Sequence, residues 1–189
     1  MSAPSIIILT GPPGSGKTSA ADILARKSPY KSVHMRADNY FDWIRNGFIP
    51  PDQPESLQQN QTALTAAAMS ALAYLRGGYE VIMDGIIGPW FLPVLHAAFV
   101  KAQAPANYVV LRASPEVAIA RSMARNRSET EREMEGIRAL HEAFAQLGPL
   151  EPHVVDTSFI SAEQVADNVR NALPSGRFLL RPPQASLQN

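Results

Sequence analysis

The chain has 189 residues, of which 46% are apolar and 18% are charged, a composition typical of globular rather than disordered proteins. Lysine plus arginine and aspartate plus glutamate both number 17, so the net charge of zero gives no indication of a nucleic-acid partner. The absence of cysteine excludes disulfides, thiolate metal sites and thiol catalysis.

We expect that the amino terminus is not a signal peptide. The amino terminus lacks a basic region, its apolar run is short, and no stretch reaches the roughly 18 apolar residues of a membrane span. We therefore expect a cytoplasmic protein that is a monomer or homodimer, with no membrane or nucleic-acid partner. The length suits one domain. We place it at residues 1–176, followed by an irregular tail at 177–189 that contains Pro182 and Pro183.

Apolar runs alternate with longer helical patterns, which is the signature of βαβ units and a parallel sheet. The predicted strands cover residues 6–10, 32–35, 80–84, 107–111 and 153–157. The predicted helices cover residues 17–27, 55–76, 92–102, 129–147 and 162–173, and a further helix begins at Pro115. Capping boxes are predicted from Ser128 with Glu131 and from Ser161 with Gln164. These elements predict an α/β fold.

The most informative segment connects the first strand to the first helix. It matches the pattern G-x-x-x-x-G-K-[ST] with Gly11, Pro12, Pro13, Gly14, Ser15, Gly16, Lys17 and Thr18, and Ser19 follows. Glycines allow the backbone N–H groups to turn inward toward phosphate oxygens, and the helix directs its positive end at the same anion. Lys17 can reach the β- and γ-phosphates, and the Thr18 hydroxyl can bind Mg²⁺.

Two acids stand at the carboxyl ends of predicted strands, where open α/β sheets bind ligands. Asp38 can accept the proton of an attacking hydroxyl, or it can simply begin a turn with Asn39. Asp84 can hold Mg²⁺ through water, contact the acceptor, or cap the next segment as a buried acid. Gly85 follows Asp84, whereas rotary and remodelling ATPases normally have a water-activating glutamate there.

Other residues allow two interpretations each. Arg121, Arg125 and Arg127 can stack on adenine or neutralise a transferring phosphoryl group, or they can form a solvated face paired with nearby glutamates. Trp43 and Trp90 flank the acid-bearing loops and can line an acceptor pocket or pack in the core. The four histidines lack metal-ligand spacing, so structural roles are favoured for them.

Together these residues resemble the P-loop small-molecule kinases built on the nucleoside-monophosphate-kinase plan, and especially chloramphenicol phosphotransferase-like, gluconate-kinase-like and zeta-toxin-like ATP-binding proteins. The matching motifs are the phosphate loop, Arg36-Ala37-Asp38, Met83-Asp84-Gly85, Arg121-x-x-x-Arg125-x-Arg127 and Val155-Asp156-Thr157-Ser158. The resemblance extends over about residues 5–173, and only the phosphate loop is highly specific.

The resemblance implies a three-layer P-loop NTPase fold, with a five-stranded parallel sheet, helices on both faces and a small lid near residues 125–130. A second mobile piece is expected at 39–58. ATP with Mg²⁺ would be the donor and a hydroxyl of a small metabolite, nucleoside, sugar or antibiotic the acceptor. The implied catalytic residues are Lys17, Asp38 and Arg125; Arg121 and Arg125 would contact nucleotide, Thr18 and Asp84 the metal, and Arg36, Asp38, Asp84 and Trp90 the acceptor.

The alternative function is a nucleotide-binding ATPase or switch protein that acts through a partner. Two features of the sequence argue against it. The guanine signature Asn-Lys-x-Asp does not occur, and Asp84 is not continued as D-x-x-G.

Overall fold

The architecture is a parallel β-sheet between two layers of helices. It is taken from a computed structural model that describes residues 3–125 and 131–180. The strands are β1 (Ile6–Thr10), β2 (Ser32–Arg36), β3 (Glu80–Asp84), β4 (Ala106–Arg112) and β5 (Val154–Asp156). The helices are α1 (Lys17–Arg26), α2 (Asn39–Asp42), α3 (Leu57–Arg76), α4 (Leu92–Lys101), α5 (Pro115–Arg125), α6 (Glu131–Ala143) and α7 (Ala162–Ala172). Short 3₁₀ turns cover Pro54–Ser56, Pro89–Phe91, Gly148–His153 and Leu173–Ser175.

All five strands run parallel in the order β2-β3-β1-β4-β5. β1 lies at the centre, and its five residues are fully buried because helices cover both faces of the sheet. The register pairs Asp84 with Leu9 on one side and with Arg36 on the other. The carboxyl ends of β1, β2 and β3 therefore meet at one edge, which is the edge that carries the candidate site.

Two apolar cores lie on opposite faces of the sheet, since successive strand residues point to opposite sides. On one face Ile7 packs with Leu24 of α1 and Val169 of α7. On the other face Ile8 packs with Leu64 of α3, among residues that also include α4. This arrangement confirms the predicted three-layer fold with helices on both faces.

The predicted element boundaries agree with the structure to within a few residues. The Ser161 capping box is present: Gln164 N–H donates to Ser161 Oγ (3.2 Å) and Ser161 N–H donates to Gln164 Oε1 (2.8 Å). The long helix starts later than predicted, at Leu57, because Pro54–Ser56 forms a 3₁₀ turn. The predicted Ser128–Glu131 capping box and the predicted lid near residues 125–130 both involve residues 126–130, which lie outside the described residues.

The chain remains packed beyond residue 176, where we placed the start of an irregular tail. Phe178 is fully buried, and its carbonyl accepts a hydrogen bond from Tyr108 N–H (2.8 Å). Leu180 N–H donates to Ala106 O (2.9 Å), so this segment lies along the first half of β4. The packed part thus includes residues 177–180, and the rest of the predicted tail lies outside the described residues.

Within the described parts of the chain, every helix is too short or too polar to cross a lipid bilayer.

Candidate active site

The phosphate loop is fixed by contacts so close that only glycine fits. Gly11 (φ 143°) and Gly14 (φ 78°) have backbone angles that L side chains rarely adopt. A Cβ on Gly11 would stand 2.0 Å from Leu111 O, and one on Gly14 would stand 2.1 Å from Ala118 O. The loop backbone is therefore pressed against the end of β4 and the start of α5.

Gly16 differs from the other two glycines of the loop. Its φ of 87° is also left-handed, but a Cβ there would meet nothing within 4 Å. It stands at the start of α1, which has no acidic residue in its first turn. The open space beside this backbone, together with the positive end of a ten-residue helix, provides a cradle for an anion.

The Lys17 side chain folds back onto the phosphate loop. Its Nζ donates to Pro12 O at 2.9 Å, and its charge acts on Asp38 and on His141. The ammonium group thus contacts the loop backbone and acts on Asp38 through its charge, and a lysine at this position of the motif reaches the β- and γ-phosphates.

Asp84 is the most enclosed acid of the site, with a side chain only 3% exposed. Thr18 Oγ1 donates to Asp84 Oδ2 at 2.6 Å, and His34 Nε2 lies 2.7 Å from Asp84 Oδ1. Burial raises the pKa of this carboxyl, but the hydrogen bonds from His34 and Thr18 outweigh it, so the net pKa of Asp84 is below its usual value. Asp84 is therefore held as an anion at the foot of α1.

Asp38 follows β2 and faces the same edge. The residue is exposed, but partial burial of its carboxyl group raises the pKa of that group. The positive charge of Lys17 opposes this rise, and the negative charge of Asp84 adds to it. Ala37 N–H donates to Asp84 O (2.8 Å), which fixes the turn that carries Asp38. A Cβ on Gly85 would stand 2.8 Å from Ala37 Cβ and 3.4 Å from Asp38 Oδ1, so glycine is needed beside this turn.

Arg36 ends β2 opposite Asp84 in the register. Its side chain is exposed, and its charge lowers the pKa of both Asp38 and Asp84. It is therefore a cation beside both acids, and its contact with an acceptor stays a prediction.

The loop after β3 is anchored to the start of the phosphate loop. Thr10 Oγ1 donates to Ile87 O (3.0 Å) and accepts from Ile87 N–H (2.9 Å), and Tyr108 OH donates to the same carbonyl (2.8 Å). Trp90 follows in this loop and is 46% exposed. Its ring contacts Phe144 with centroids 5.6 Å apart.

Arg121 is engaged with the protein rather than projecting freely from α5. Its Nη2 donates to Thr157 O (3.0 Å) and Ser158 O (3.2 Å), which joins α5 to the loop after β5. Thr157 Oγ1 in turn donates to Ser15 O (3.0 Å) in the phosphate loop. The side chain of Arg125 and the whole of Arg127 lie outside the described residues, so their predicted roles stay predictions.

Two histidines that the sequence indicated only as structural contact the site. His34 contacts Asp84, and His141 of α6 places Nε2 3.0 Å from Pro13 O. Burial, which exceeds the opposing effect of the Pro13 bond, lowers the pKa of His141. Neither contact has a signature in sequence spacing, because each joins segments that only the folded topology brings together.

A groove of about 320 Å³ opens beside the phosphate loop, between the ends of β4 and β5 and helix α6. Its lining includes Arg112, Ser114, His141, Asp156 and Ser158. A second groove of about 460 Å³ lies along β5 and α7 near Phe178, away from the phosphate loop and the two acids. His141 in the lining of the first groove contacts Pro13 O, so this groove lies at the same end of the molecule as the phosphate loop.

The donor set suits Mg²⁺ that is shared with a nucleotide. Thr18 and Asp84 offer a hydroxyl and a carboxylate oxygen in mutual contact, and Mg²⁺ prefers such hard oxygen ligands. No cluster of three histidine, cysteine or acidic side chains with metal-binding geometry occurs among residues 3–125 and 131–180. These two residues would therefore hold the ion together with phosphate oxygens rather than alone.

The structure thus brings the phosphate loop, Arg36, Asp38 and Asp84 to one edge of the sheet, as the sequence predicted. Ser19 lies exposed in the first turn of α1, beside Thr18. Trp90 stands on the loop that follows Asp84, and Trp43 follows the short helix α2 after Asp38.

Fold and loop together define a P-loop nucleoside-triphosphate-binding protein of the α/β class. A family model described as an AAA domain (AAA_18) matches residues 7–141, and the chain belongs to this family. No curated protein matches the chain significantly.

Three solved structures illustrate the likeness of fold. APS kinase of Mycobacterium tuberculosis, solved with AMPPNP and APS, has a TM-score of 0.71 and 17% identity over 92% of this chain and 99% of that one. The tunicamycin resistance protein of Deinococcus radiodurans has a TM-score of 0.63 and 21% identity over 95% and 99%. A gluconokinase of Sinorhizobium meliloti has a TM-score of 0.61 and 15% identity over 93% and 94%. At these identities the comparison establishes a shared fold.

The glycine contacts predict different effects for two substitutions in one loop. Gly14→Ala combines an unfavourable φ with a clash against Ala118 O, whereas Gly16→Ala carries only the unfavourable φ. We expect Gly16→Ala to lower the free energy of unfolding by about 1–2 kcal/mol and Gly14→Ala by clearly more. Urea unfolding of the nucleotide-free variants measures both values; equal destabilisation would show that the loop is not pressed against α5.

Proposed function

We propose that the chain is an ATP-dependent phosphotransferase that moves the γ-phosphoryl group to a hydroxyl of a small molecule. The observation that supports this proposal is the placement of Asp38. Asp38 lies in the turn that Asp84 O holds after β2, at the carboxyl end of the sheet where both substrates would meet, and the charge of Lys17 acts on its carboxyl, whose pKa is raised by burial.

On the donor side, the Lys17 ammonium and the backbone N–H groups of the loop would hold the β- and γ-phosphates; Pro12 and Pro13 have no N–H, so these donors come from the other loop residues. Thr18 and Asp84 would hold Mg²⁺, which when bound neutralises charge on the phosphate oxygens. Arg125, carried on α5, is proposed to approach the transferring group, with Arg121 at the nucleotide side. Phe159 on the loop after β5 is 90% exposed and offers an apolar surface near that side.

On the acceptor side, Asp38 would act as the general base. The acceptor oxygen attacks the γ-phosphorus and loses its proton to the Asp38 carboxylate, while the bond to the bridging β–γ oxygen breaks and ADP leaves. A carboxyl with a raised pKa is the better base, because it binds the proton more tightly once ionised. The partly enclosed position of Asp38 therefore suits this role.

Membership of an AAA family is also compatible with the alternative function, a nucleotide-binding ATPase or switch that acts through a partner. The site supports transfer to an acceptor better. Gly85 occupies the position after Asp84, so the water-activating glutamate of rotary and remodelling ATPases has no counterpart there. Rapid ATP hydrolysis that depends on self-assembly and needs no acceptor would favour the alternative.

The acceptor side is aromatic and poor in cations. Trp43, Phe48 and Trp90 are 62%, 48% and 46% exposed on the two segments that follow β2 and β3. Residues 36–53 and 84–92 carry four aspartates but only two cations, Arg36 and Arg45. An acceptor that already bears phosphate or carboxylate needs more positive charge than this. Among the candidate acceptors we favour a neutral molecule with a flat apolar part, such as a nucleoside or an aromatic antibiotic.

Asp38→Asn tests the assignment of the base. We expect ATP affinity to stay within about twofold while acceptor phosphorylation falls by about 10²- to 10⁴-fold, the usual contribution of a general base. ADP release with a panel of hydroxylated nucleosides, sugars and antibiotics measures the rate, and calorimetry measures ATP affinity. Unchanged turnover would remove Asp38 from the mechanism.

The same variant has a stability signature with a defined sign. Because the folded-state pKa of Asp38 is raised, its ionisation weakens folding, and stability is lost as pH rises through that pKa. Asn stays neutral, so Asp38→Asn is expected to melt no lower than wild type at pH 7, and any gain should vanish at acid pH. A variant that melts well below wild type at pH 7 would mean that its low activity reflects misfolding.

Trp90→Ala tests the acceptor surface. We expect the KM for the acceptor to rise about three- to tenfold because a stacking face is lost, with the KM for ATP unchanged. Trp90→Phe keeps an aromatic face, so its KM for the acceptor should stay close to the wild-type value. Tyr74→Ala is the matched control, since Tyr74 is 45% exposed at the far end of α3 near the start of β3. Equal changes for Trp90→Ala and Tyr74→Ala would remove Trp90 from the acceptor site.

A further inference from the structure

The Asp84 carboxylate is held from both sides by side chains of different elements. Its Oδ2 accepts from Thr18 Oγ1 of α1 (2.6 Å), and its Oδ1 lies 2.7 Å from His34 Nε2 of β2. An ionised carboxylate only accepts hydrogen bonds, so His34 must donate through Nε2–H. The three side chains form a continuous chain from the edge strand of the sheet to the start of α1.

His34 is placed for this contact by the register of the sheet. β2 and β3 are hydrogen-bonded neighbours, and His34 lies opposite Ile82, two residues before Asp84 on the same face of β3. The His34 side chain is 18% exposed, so most of the ring is enclosed. Arg36, two residues further along β2, also acts on Asp84 through its charge. The contact is thus built from regular strand geometry rather than from a surface side chain.

We infer that His34 is a positioning residue for the metal, and that its hydrogen bond to Oδ1 turns Oδ2 of Asp84 toward Thr18 and the phosphate loop. This inference rests on the proposed binding of ATP with Mg²⁺. Outer partners that orient a ligating carboxylate affect metal affinity strongly, although they never touch the ion. A rotated Asp84 would offer its oxygens at the wrong angle to an ion that demands near-ideal octahedral geometry.

The same geometry decides between the two roles predicted for Asp84. Oδ2 contacts the hydroxyl of Thr18, the other proposed metal ligand, and Oδ1 is engaged by His34, so the carboxylate is oriented toward the metal side. Of the two acids, Asp84 serves the metal side of the reaction and Asp38 serves the acceptor side. His34 therefore separates the function of Asp84, at the end of β3, from that of Asp38, in the turn after β2.

The test measures ATP binding by calorimetry in EDTA and over a series of Mg²⁺ concentrations, with no acceptor present. For His34→Ala we expect unchanged ATP affinity in EDTA and a rise of about 10- to 100-fold in the Mg²⁺ concentration that gives half of the metal-dependent gain in affinity. Mn²⁺ bound to the protein–ATP complex, followed by electron paramagnetic resonance, reports the same loss directly on the ion.

Two variants separate positioning from a general structural effect. His34→Gln keeps an N–H donor near Asp84, so the Mg²⁺ concentration that gives half of the gain in ATP affinity should stay close to the wild-type value. This variant also provides the test if His34→Ala does not fold. His153→Gln is the matched control: His153 is also partly buried, but its Nδ1 lies 2.8 Å from Tyr108 O, on the side of the sheet remote from Asp84. It should bind ATP and Mg²⁺ as wild type does.

The inference is overturned if ATP affinity depends on Mg²⁺ concentration in the same way in His34→Ala and in wild type. It is also overturned if the loss is equal in EDTA and in Mg²⁺, or if His34→Gln is as defective as His34→Ala. Because no acceptor is used, a wild-type protein that binds ATP with Mg²⁺ but phosphorylates no hydroxyl would refute the proposed function and leave this inference standing.

Discussion

The close approach of the phosphate loop to β4 and α5 is the constraint on which the rest of the site depends. With Gly11 against Leu111 O and Gly14 against Ala118 O, the loop backbone has one position relative to the sheet. That position directs the start of α1 at the space beside Gly16 and sets Thr18 within reach of Asp84. An anion site formed by backbone amides is useful only if those amides do not reorganise when the anion arrives.

The parallel sheet then determines which side chains can join this loop. Since the carboxyl ends of β1, β2 and β3 share an edge, residues more than 60 positions apart in sequence become neighbours there. Asp84 connects them: it contacts α1 through Thr18 and β2 through His34, and its backbone carbonyl fixes the turn before Asp38. Two acids at one end of the sheet differ in pKa because Asp84 accepts hydrogen bonds from Thr18 and His34, whereas desolvation is the largest effect on Asp38.

The sequence predicted the features that are encoded within a few consecutive residues, but not the contacts between distant segments. The strands, the phosphate loop and the Ser161 cap are encoded within a few residues, and all of them were found in their predicted places. The contacts of His34 and the burial of Phe178 were not predicted, because they need the strand order and register, which spacing along one chain does not contain. Counting back from Asp84 along a neighbouring strand of known register would have pointed to His34.

The central claim is that a rigid ring of backbone amides and the Lys17 ammonium bind a triphosphate. Titration calorimetry of the wild-type chain with ATP in the presence of Mg²⁺, repeated with Lys17→Met, tests it most directly. The account predicts saturable binding of one ATP per chain and a large loss of affinity in the variant. Binding that is absent in the wild type, or equally strong without the Lys17 ammonium, would contradict it.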